Sequence, residues 1–168
     1  MNMKLKPTLL ATALASAGLV VTTAQGATDT ANMPVTITIQ TACDVSTIAP
    51  TTLDFGSHGL LTTAIDATST ITVTCTPTVP YDIGLNAGLN GGGDTDARAM
   101  VNGTEDVGYQ LYQEVGRATV WGGPSSEFAV TSIGTGIAQP FTVYGRVPPQ
   151  ATPTAGNYTD TILVTITY

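Results

Sequence analysis

The chain has 168 residues, with twelve acidic against five basic side chains and a formal net charge of −7. This charge makes nucleic acid a poor partner, because phosphate binding needs lysine and arginine to displace counterions, and it would repel the chain from an anionic membrane surface. The length is enough for one domain with a hydrophobic core, and solubility is the simplest explanation of the acidity.

Residues 1–26 have the features of a secretory signal peptide. Lys4 and Lys6 precede an apolar run over residues 8–21, and Ala24 and Gly26 provide small residues before a cut at Ala27. A membrane anchor is less favoured, because about 14 mainly apolar residues fall short of the roughly 20 that span a bilayer. We therefore predict a mature chain without a membrane span, in which three arginines against twelve acidic residues give a net charge of −9.

The segment 32–45 reads as a strand that begins before the first cysteine. Met33, Val35, Ile37 and Ile39 alternate with polar residues and would share one face of that strand. The residues alone favour the first strand of the protein's own sheet.

Cys43 and Cys75 are the two cysteines of the chain, and in an oxidising compartment they should form one disulfide. The bond would close a loop of about 33 residues and remove about 3.5 to 4 kcal/mol of freedom from the unfolded chain. Two free thiols or a metal pair are the alternatives. A metal site would need further ligands, and His58 is the sole histidine.

The rest of the chain alternates apolar and polar residues with the period of β-strands, and no convincing helix follows the signal peptide. Turn signals rich in Gly, Pro and Asn separate these segments, at residues 90–94, 102–103, 122–124 and 148–156. The pattern predicts an antiparallel sandwich or barrel. The apolar faces are Ile71, Val73 and Cys75; Tyr81, Ile83 and Leu85; Val107, Tyr109 and Leu111; Phe141, Val143 and Val147; and Ile162, Val164, Ile166 and Tyr168.

The search for catalytic and metal sites gives negative results. Ser57 and His58 are adjacent, so on a strand they would point to opposite faces and could not act as nucleophile and base. Asp94 and Asp96 supply far fewer than the six to eight oxygen ligands of calcium. We predict no enzymatic activity, no metal and no cofactor.

The remaining candidate residues have plainer structural explanations. Trp121 could stack on a sugar, but a large aromatic at the end of a strand is more often part of the core. Arg117 and Arg146 could recognise a carboxylate ligand, yet the surplus of acidic residues favours local ion pairs. Asn102 and Asn157 begin glycosylation-type triplets and are better explained as turn residues.

An ordered set of motifs over nearly the whole mature chain resembles the spore coat protein U family, which includes subunits of archaic chaperone-usher pili. The motifs are a strand with Cys43, LDFG at 53–56, ITVTCT at 71–76, YQLY at 109–112, VWG at 120–122, VYGRVP at 143–148 and GNYTDTILVTITY at 156–168.

The resemblance implies an incomplete immunoglobulin-like antiparallel β-sandwich, with six strands of its own and the last strand supplied by another chain. A periplasmic chaperone would lend that strand, and at the outer-membrane usher the N-terminal extension of a neighbouring subunit would replace it. The sequence agrees, since it ends at the terminal strand and offers a spare strand at its start. An open edge would otherwise favour aggregation.

The resemblance thus implies a signal peptide at 1–26, a donor-strand extension at 27–42 and a sandwich at 43–168. The donor residues would be Met33, Val35, Ile37 and Ile39, and the terminal strand lining the acceptor groove would contribute Ile162, Val164, Ile166 and Tyr168. We expect secretion through the periplasm into a surface fibre that supports adhesion and biofilm formation. The alternatives are a spore- or cell-coat protein assembled without an usher, and a small adhesin or lectin-like module.

Overall fold

The computed structural model describes residues 26–168, so the predicted signal peptide lies almost wholly outside the described residues. The chain divides after Ile37, and Thr38–Tyr168 form one compact unit. Residues 26–168 form strands, turns and irregular segments without a helix. In this range the structure therefore contains no helix of the length and apolarity needed to cross a bilayer.

Nine strands occur in the described residues, in keeping with the predicted all-β class. They are β1 (Cys43–Asp44), β2 (Ile65–Cys75), β3 (Pro80–Leu85), β4 (Ala99–Asn102), β5 (Glu105–Gly108), β6 (Gln110–Tyr112), β7 (Val130–Ile133), β8 (Gln139–Val147) and β9 (Val164–Thr167). The resemblance implied six strands; the structure divides the same chain into more and shorter elements.

The larger sheet has the antiparallel order β1-β2-β8-β6. Its centre is the ladder between β2 and β8, which runs from the pair Ile65 and Val147 to the pair Val73 and Gln139. Along β2, buried apolar residues alternate with threonines that are partly exposed, as expected for a strand that packs on one face. The sequence therefore predicted both the strand and its inner face.

A second sheet has the order β7-β3-β9, and β4 and β5 form a separate hairpin. The hairpin turn is Gly103-Thr104, since Asn102 and Glu105 form the last pair of the ladder. Gly103 has a φ of 62°, a conformation that glycine adopts at little cost. This is the physical basis of the turn signal at residues 102–103.

The core of the domain is formed by side chains from both main sheets. Its buried members are Ile71, Val73, Cys75, Tyr81, Ile83, Leu85, Val107, Tyr109, Leu111, Trp121, Val143 and Val147. Trp121 is 1% exposed and its indole Nε1 donates to the carbonyl of Ile83 at 2.8 Å. It is therefore a core residue, as the plainer explanation predicted.

Cys43 and Cys75 form the predicted disulfide. They are directly opposite each other in the antiparallel pairing of β1 with β2. The bond thus fastens the start of the domain to the end of its longest strand.

The two ends of the described chain contain less strand than the alternation alone suggests. No strand is assigned to residues 26–42, which include the predicted donor extension. The terminal strand begins only at Val164, and just upstream the backbone pairing is reduced to single contacts such as the bond from the Asn86 amide to the Leu163 carbonyl at 3.1 Å. The Leu163 amide donates to Asn86 Oδ1, and the Thr161 amide donates to Asp160 Oδ1.

Candidate functional site

An open groove of about 460 Å³ lies in the Thr38–Tyr168 domain. One wall is the irregular segment 50–55, and the opposite wall is the chain from residue 157 to residue 164. Side chains of both sheets and the hairpin form the floor, namely Ser69, Ile71, Leu85, Met100, Tyr109, Leu111 and Val143. The groove therefore gives direct access to the core.

Both walls have limited backbone pairing in the described part of the chain. β9 pairs with β3 and is an edge strand of its sheet. The segment 50–55 follows the side of β2 that β1 covers only at Thr74 and Cys75. There the Thr51 amide donates to the Thr70 carbonyl at 3.0 Å and Thr51 Oγ1 accepts from the Thr70 amide at 2.8 Å. An exposed strand edge is a template for pairing with another chain.

A hydrogen-bond network around Asp160 shapes the groove near Tyr109. The Tyr109 hydroxyl donates to Asp160 Oδ2 at 2.6 Å, and Asp160 Oδ1 accepts from the Leu89 amide and from Asn90 Nδ2. Burial and the neighbouring carboxylate of Asp160 raise the pKa of Tyr109. The tyrosine hydroxyl is therefore held as a neutral donor that fixes this wall.

The predicted residues of the terminal strand separate into two groups. Ile162 and Val164 line the groove. Ile166 packs against the core but does not line the groove, and Tyr168 is 59% exposed. Only the first part of the predicted set thus faces the groove in this structure.

The predicted donor residues are apolar side chains in open solvent. Met33, Val35, Ile37 and Ile39 are 82, 82, 85 and 71% exposed. Residues 26–42 are all exposed, and these four apolar side chains occupy every second position of the sequence from residue 33 to residue 39.

Arg98 is the important buried residue that sequence reasoning missed. It is 1% exposed, and its guanidinium donates to the carbonyls of Leu85, Asn86 and Trp121 and to Gln110 Oε1. Burial lowers the pKa of Arg98, although a guanidinium remains charged in proteins. Its short sequence context, after a glycine- and aspartate-rich loop, gives no sign of burial.

Arg117 and Arg146 form the local ion pairs that the sequence predicted. Arg146 contacts both carboxylate oxygens of Asp66, at 2.7 and 2.9 Å, and Arg117 Nη1 lies 3.3 Å from Asp66 Oδ2. The hydrogen bond from Arg146 lowers the pKa of Asp66. These arginines are therefore engaged by a carboxylate of the same chain.

The other polar candidates lie in loops without catalytic geometry. His58 Nε2 is 2.6 Å from the carbonyl of Phe55, and Asp94 Oδ1 accepts from the Asp96 amide. Residues 26–168 contain no group of three or more His, Cys, Asp or Glu side chains placed to hold a metal ion.

Comparison with known proteins identifies the family. The spore coat protein U domain matches residues 29–165. A curated relative, Protein U of Myxococcus xanthus, is 34% identical over 175 residues, which cover 96% of this chain and 97% of the relative.

The fold is similar to that of one chain in a crystal structure of proteins from Acinetobacter baumannii. That structure is a pre-assembly complex of the chaperone CsuC with the tip adhesion subunit CsuE of archaic chaperone-usher Csu pili. The TM-score is 0.56 at 23% identity, over 78% of this chain and 40% of the matched chain. This likeness concerns the fold, and our chain spans less than half of the matched chain.

The domain match covers most of the chain, and the identity to Protein U extends over nearly the whole of both chains. Both findings agree with the motifs in the sequence and with the prediction of a structural protein rather than an enzyme. The chain belongs to the spore coat protein U domain family.

Proposed function

We propose that the protein is a structural subunit of a surface fibre of the chaperone-usher type, which polymerises by donor-strand exchange. The carrying observation is that one chain has both an open groove into its core and an exposed apolar face on its N-terminal segment. In the fibre, residues 33–39 of one subunit fill the groove of a second copy.

The dimensions of the two surfaces support this pairing. Alternate side chains of a strand lie about 6.6 to 6.8 Å apart on one face, so Met33 to Ile39 present an apolar row about 20 Å long. The groove volume of about 460 Å³ is roughly three times the ~150 Å³ of a cavity that binds benzene. It therefore suits a short row of aliphatic side chains.

Backbone pairing would set the register. The donated strand would add to the free edge of β9, which is the mode of recognition called β-strand addition. Pro34 has no amide hydrogen, so two-sided pairing would begin after it, and Val35, Ile37 and Ile39 would be the principal residues in the groove. Burial of four apolar side chains at about 1.5 to 3 kcal/mol each would contribute roughly 6 to 12 kcal/mol before ordering costs.

The same groove accounts for the proposed partners. An unfilled edge and an accessible core would promote aggregation, so a periplasmic chaperone would cover the groove until the outer-membrane usher brings the next subunit. The fibre at the cell surface would then support adhesion and biofilm formation. The similarity in fold to a chain in a chaperone–subunit complex supports a chaperone as one of these partners.

A coat protein assembled without an usher is the second candidate function. It is favoured by the family, which is described as a spore coat protein domain. Genes for a periplasmic chaperone and an outer-membrane usher beside this one would favour the fibre, and their absence there would favour the coat.

The fibre proposal is tested by a charge on the donor face. We expect Ile37→Asp to abolish the SDS-resistant ladder of subunits seen in unboiled gels, because the exchange would bury an unpaired carboxylate. Thr38→Asp adds the same charge to the opposite face and should leave the ladder intact. A subunit without residues 27–39 should still bind its chaperone but fill no neighbour's groove. Ladders that persist in Ile37→Asp and in the deletion would contradict donor-strand exchange.

A further inference from the structure

The residues just after the donor segment are fastened to the end of β2 by Thr76. The Ala42 amide donates to Thr76 Oγ1 at 3.1 Å, and the Thr76 hydroxyl in turn lies 3.3 Å from the Gln40 carbonyl and 3.2 Å from the Ala42 carbonyl. The Thr76 amide also donates to the Ala42 carbonyl at 2.9 Å. One side chain therefore bonds to the backbone of two residues of the N-terminal segment.

This attachment lies beside the disulfide, and the two constraints act on successive residues. Cys43 is bonded to Cys75, the last residue of β2, and Thr76 follows directly. The disulfide holds the chain at Cys43, and the Thr76 amide holds it at Ala42. Both attachments would remain with any residue at position 76 except proline, which has no amide hydrogen. The Thr76 hydroxyl extends the attachment back to Gln40.

The position of Gln40 matters because Ile39 is the last of the four donor residues. If Ile39 lies in the groove of one subunit and Gln40 is bonded to its own domain, a single Cα–Cα step of about 3.8 Å joins the two domains. Without the hydroxyl, free chain would extend to Ala42, and the connection could reach about 10 Å. A short connection restricts bending between the domains.

We propose that Thr76 is a positioning residue that stiffens the junction between adjacent subunits by holding residues 40–42 against the domain. This inference rests on the proposed fibre function. It assigns to Thr76 a role in the geometry of the fibre that is separate from filling the groove, since Thr76 does not line the groove. Its substitution should therefore change fibre bending but leave donor-strand exchange in place.

The experiment compares Thr76→Val, which removes the hydroxyl at nearly constant volume, with Thr76→Ser, which keeps it. Thr74→Val is the matched control, because it removes a hydroxyl only two residues away, near the end of β2. In the isolated subunit, hydrogen exchange of the Ala42 amide should be about fivefold faster in Thr76→Val, as expected for the loss of one hydrogen bond. In fibres, electron micrographs should give a shorter persistence length for Thr76→Val alone.

The SDS-resistant ladder of Thr76→Val should match that of the unmodified subunit. Two results would overturn the role of Thr76 and leave the fibre proposal intact. One is an equal persistence length in fibres of Thr76→Val and of the unmodified subunit, and the other is unchanged hydrogen exchange of the Ala42 amide in Thr76→Val. An unmodified subunit that forms no fibre with its chaperone and usher would overturn the proposed function and this inference with it.

Discussion

Replacement of Arg98 by methionine should be among the most destabilising single changes in the domain. The guanidinium is 1% exposed and donates four hydrogen bonds, of 2.6 to 3.0 Å, to three carbonyls and the side chain of Gln110. Methionine has a similar length but no donor, so each of the four acceptors would lose one hydrogen bond, and Gln110 Oε1 would keep only its bond from the Leu111 amide.

The magnitude follows from two opposing contributions. Hydrogen bonds from a charged donor contribute about 1.5 to 3 kcal/mol each, or roughly 6 to 12 kcal/mol for four. Removal of the cation also removes the cost of burying it, which is several kcal/mol. We therefore expect Arg98→Met to lower the free energy of unfolding by about 3 to 5 kcal/mol.

Urea unfolding with the disulfide intact measures this loss. With a slope of about 2 kcal/mol per molar urea, the midpoint should fall by roughly 2 M. Arg146→Met is the matched control, since it removes the same charge from the exposed ion pair with Asp66 and should cost about 1 kcal/mol or less. If Arg98→Met does not fold, Arg98→Lys takes its place in the comparison. An ammonium has three donors for four acceptors, so Arg98→Lys should lose less free energy of unfolding than we expect for Arg98→Met and more than Arg146→Met loses. Equal losses in Arg98→Met and Arg146→Met would refute the reasoning.

Two further predictions concern the start of the domain. Reduction of the bond between Cys43 and Cys75 should lower the free energy of unfolding by about 3.5 to 4 kcal/mol, as measured by urea unfolding with and without reductant; a change below about 1 kcal/mol would contradict the chain-entropy account. Hydrogen bonds from Thr47 and Ser46 hold the pKa of Asp44 at about 2, below its ordinary value of 3.8. Because the pKa is lowered in the folded state, the stabilisation is present above pH 3.8 and is lost as the pH falls through about 2. In an NMR titration, Ser46→Ala should raise the pKa of Asp44, because the Ser46 hydroxyl donates to Asp44 Oδ1 at 2.8 Å, and an unchanged value would argue against this hydrogen bonding.

The alternating pattern was sufficient to predict most of the core. Ile71, Val73 and Cys75 lie buried along one face of β2, as the period of two required. The turn at residues 102–103 was predictable because glycine adopts a positive φ there. These features are local, so the residues of one short segment are enough to determine each of them.

The groove could be predicted only in outline. Ile162 and Val164 line it, but Ile166 and Tyr168 do not. Nothing in the local sequence indicates that the Leu163 amide bonds to the side chain of Asn86 just before Val164. That outcome depends on where two distant segments meet.

The sequence by itself determined the all-β class, the disulfide and the apolar alternation of residues 33–39, because these follow from periodicity, cysteine count and composition. Only the tertiary structure decided that Arg98 is buried, that segment 50–55 and the chain before β9 leave a groove between them, and that Thr76 holds residues 40–42. The reason is physical. Alternation specifies which side of a strand is apolar, whereas burial of a charge, an open edge and a long-range hydrogen bond depend on which partners the fold brings into contact.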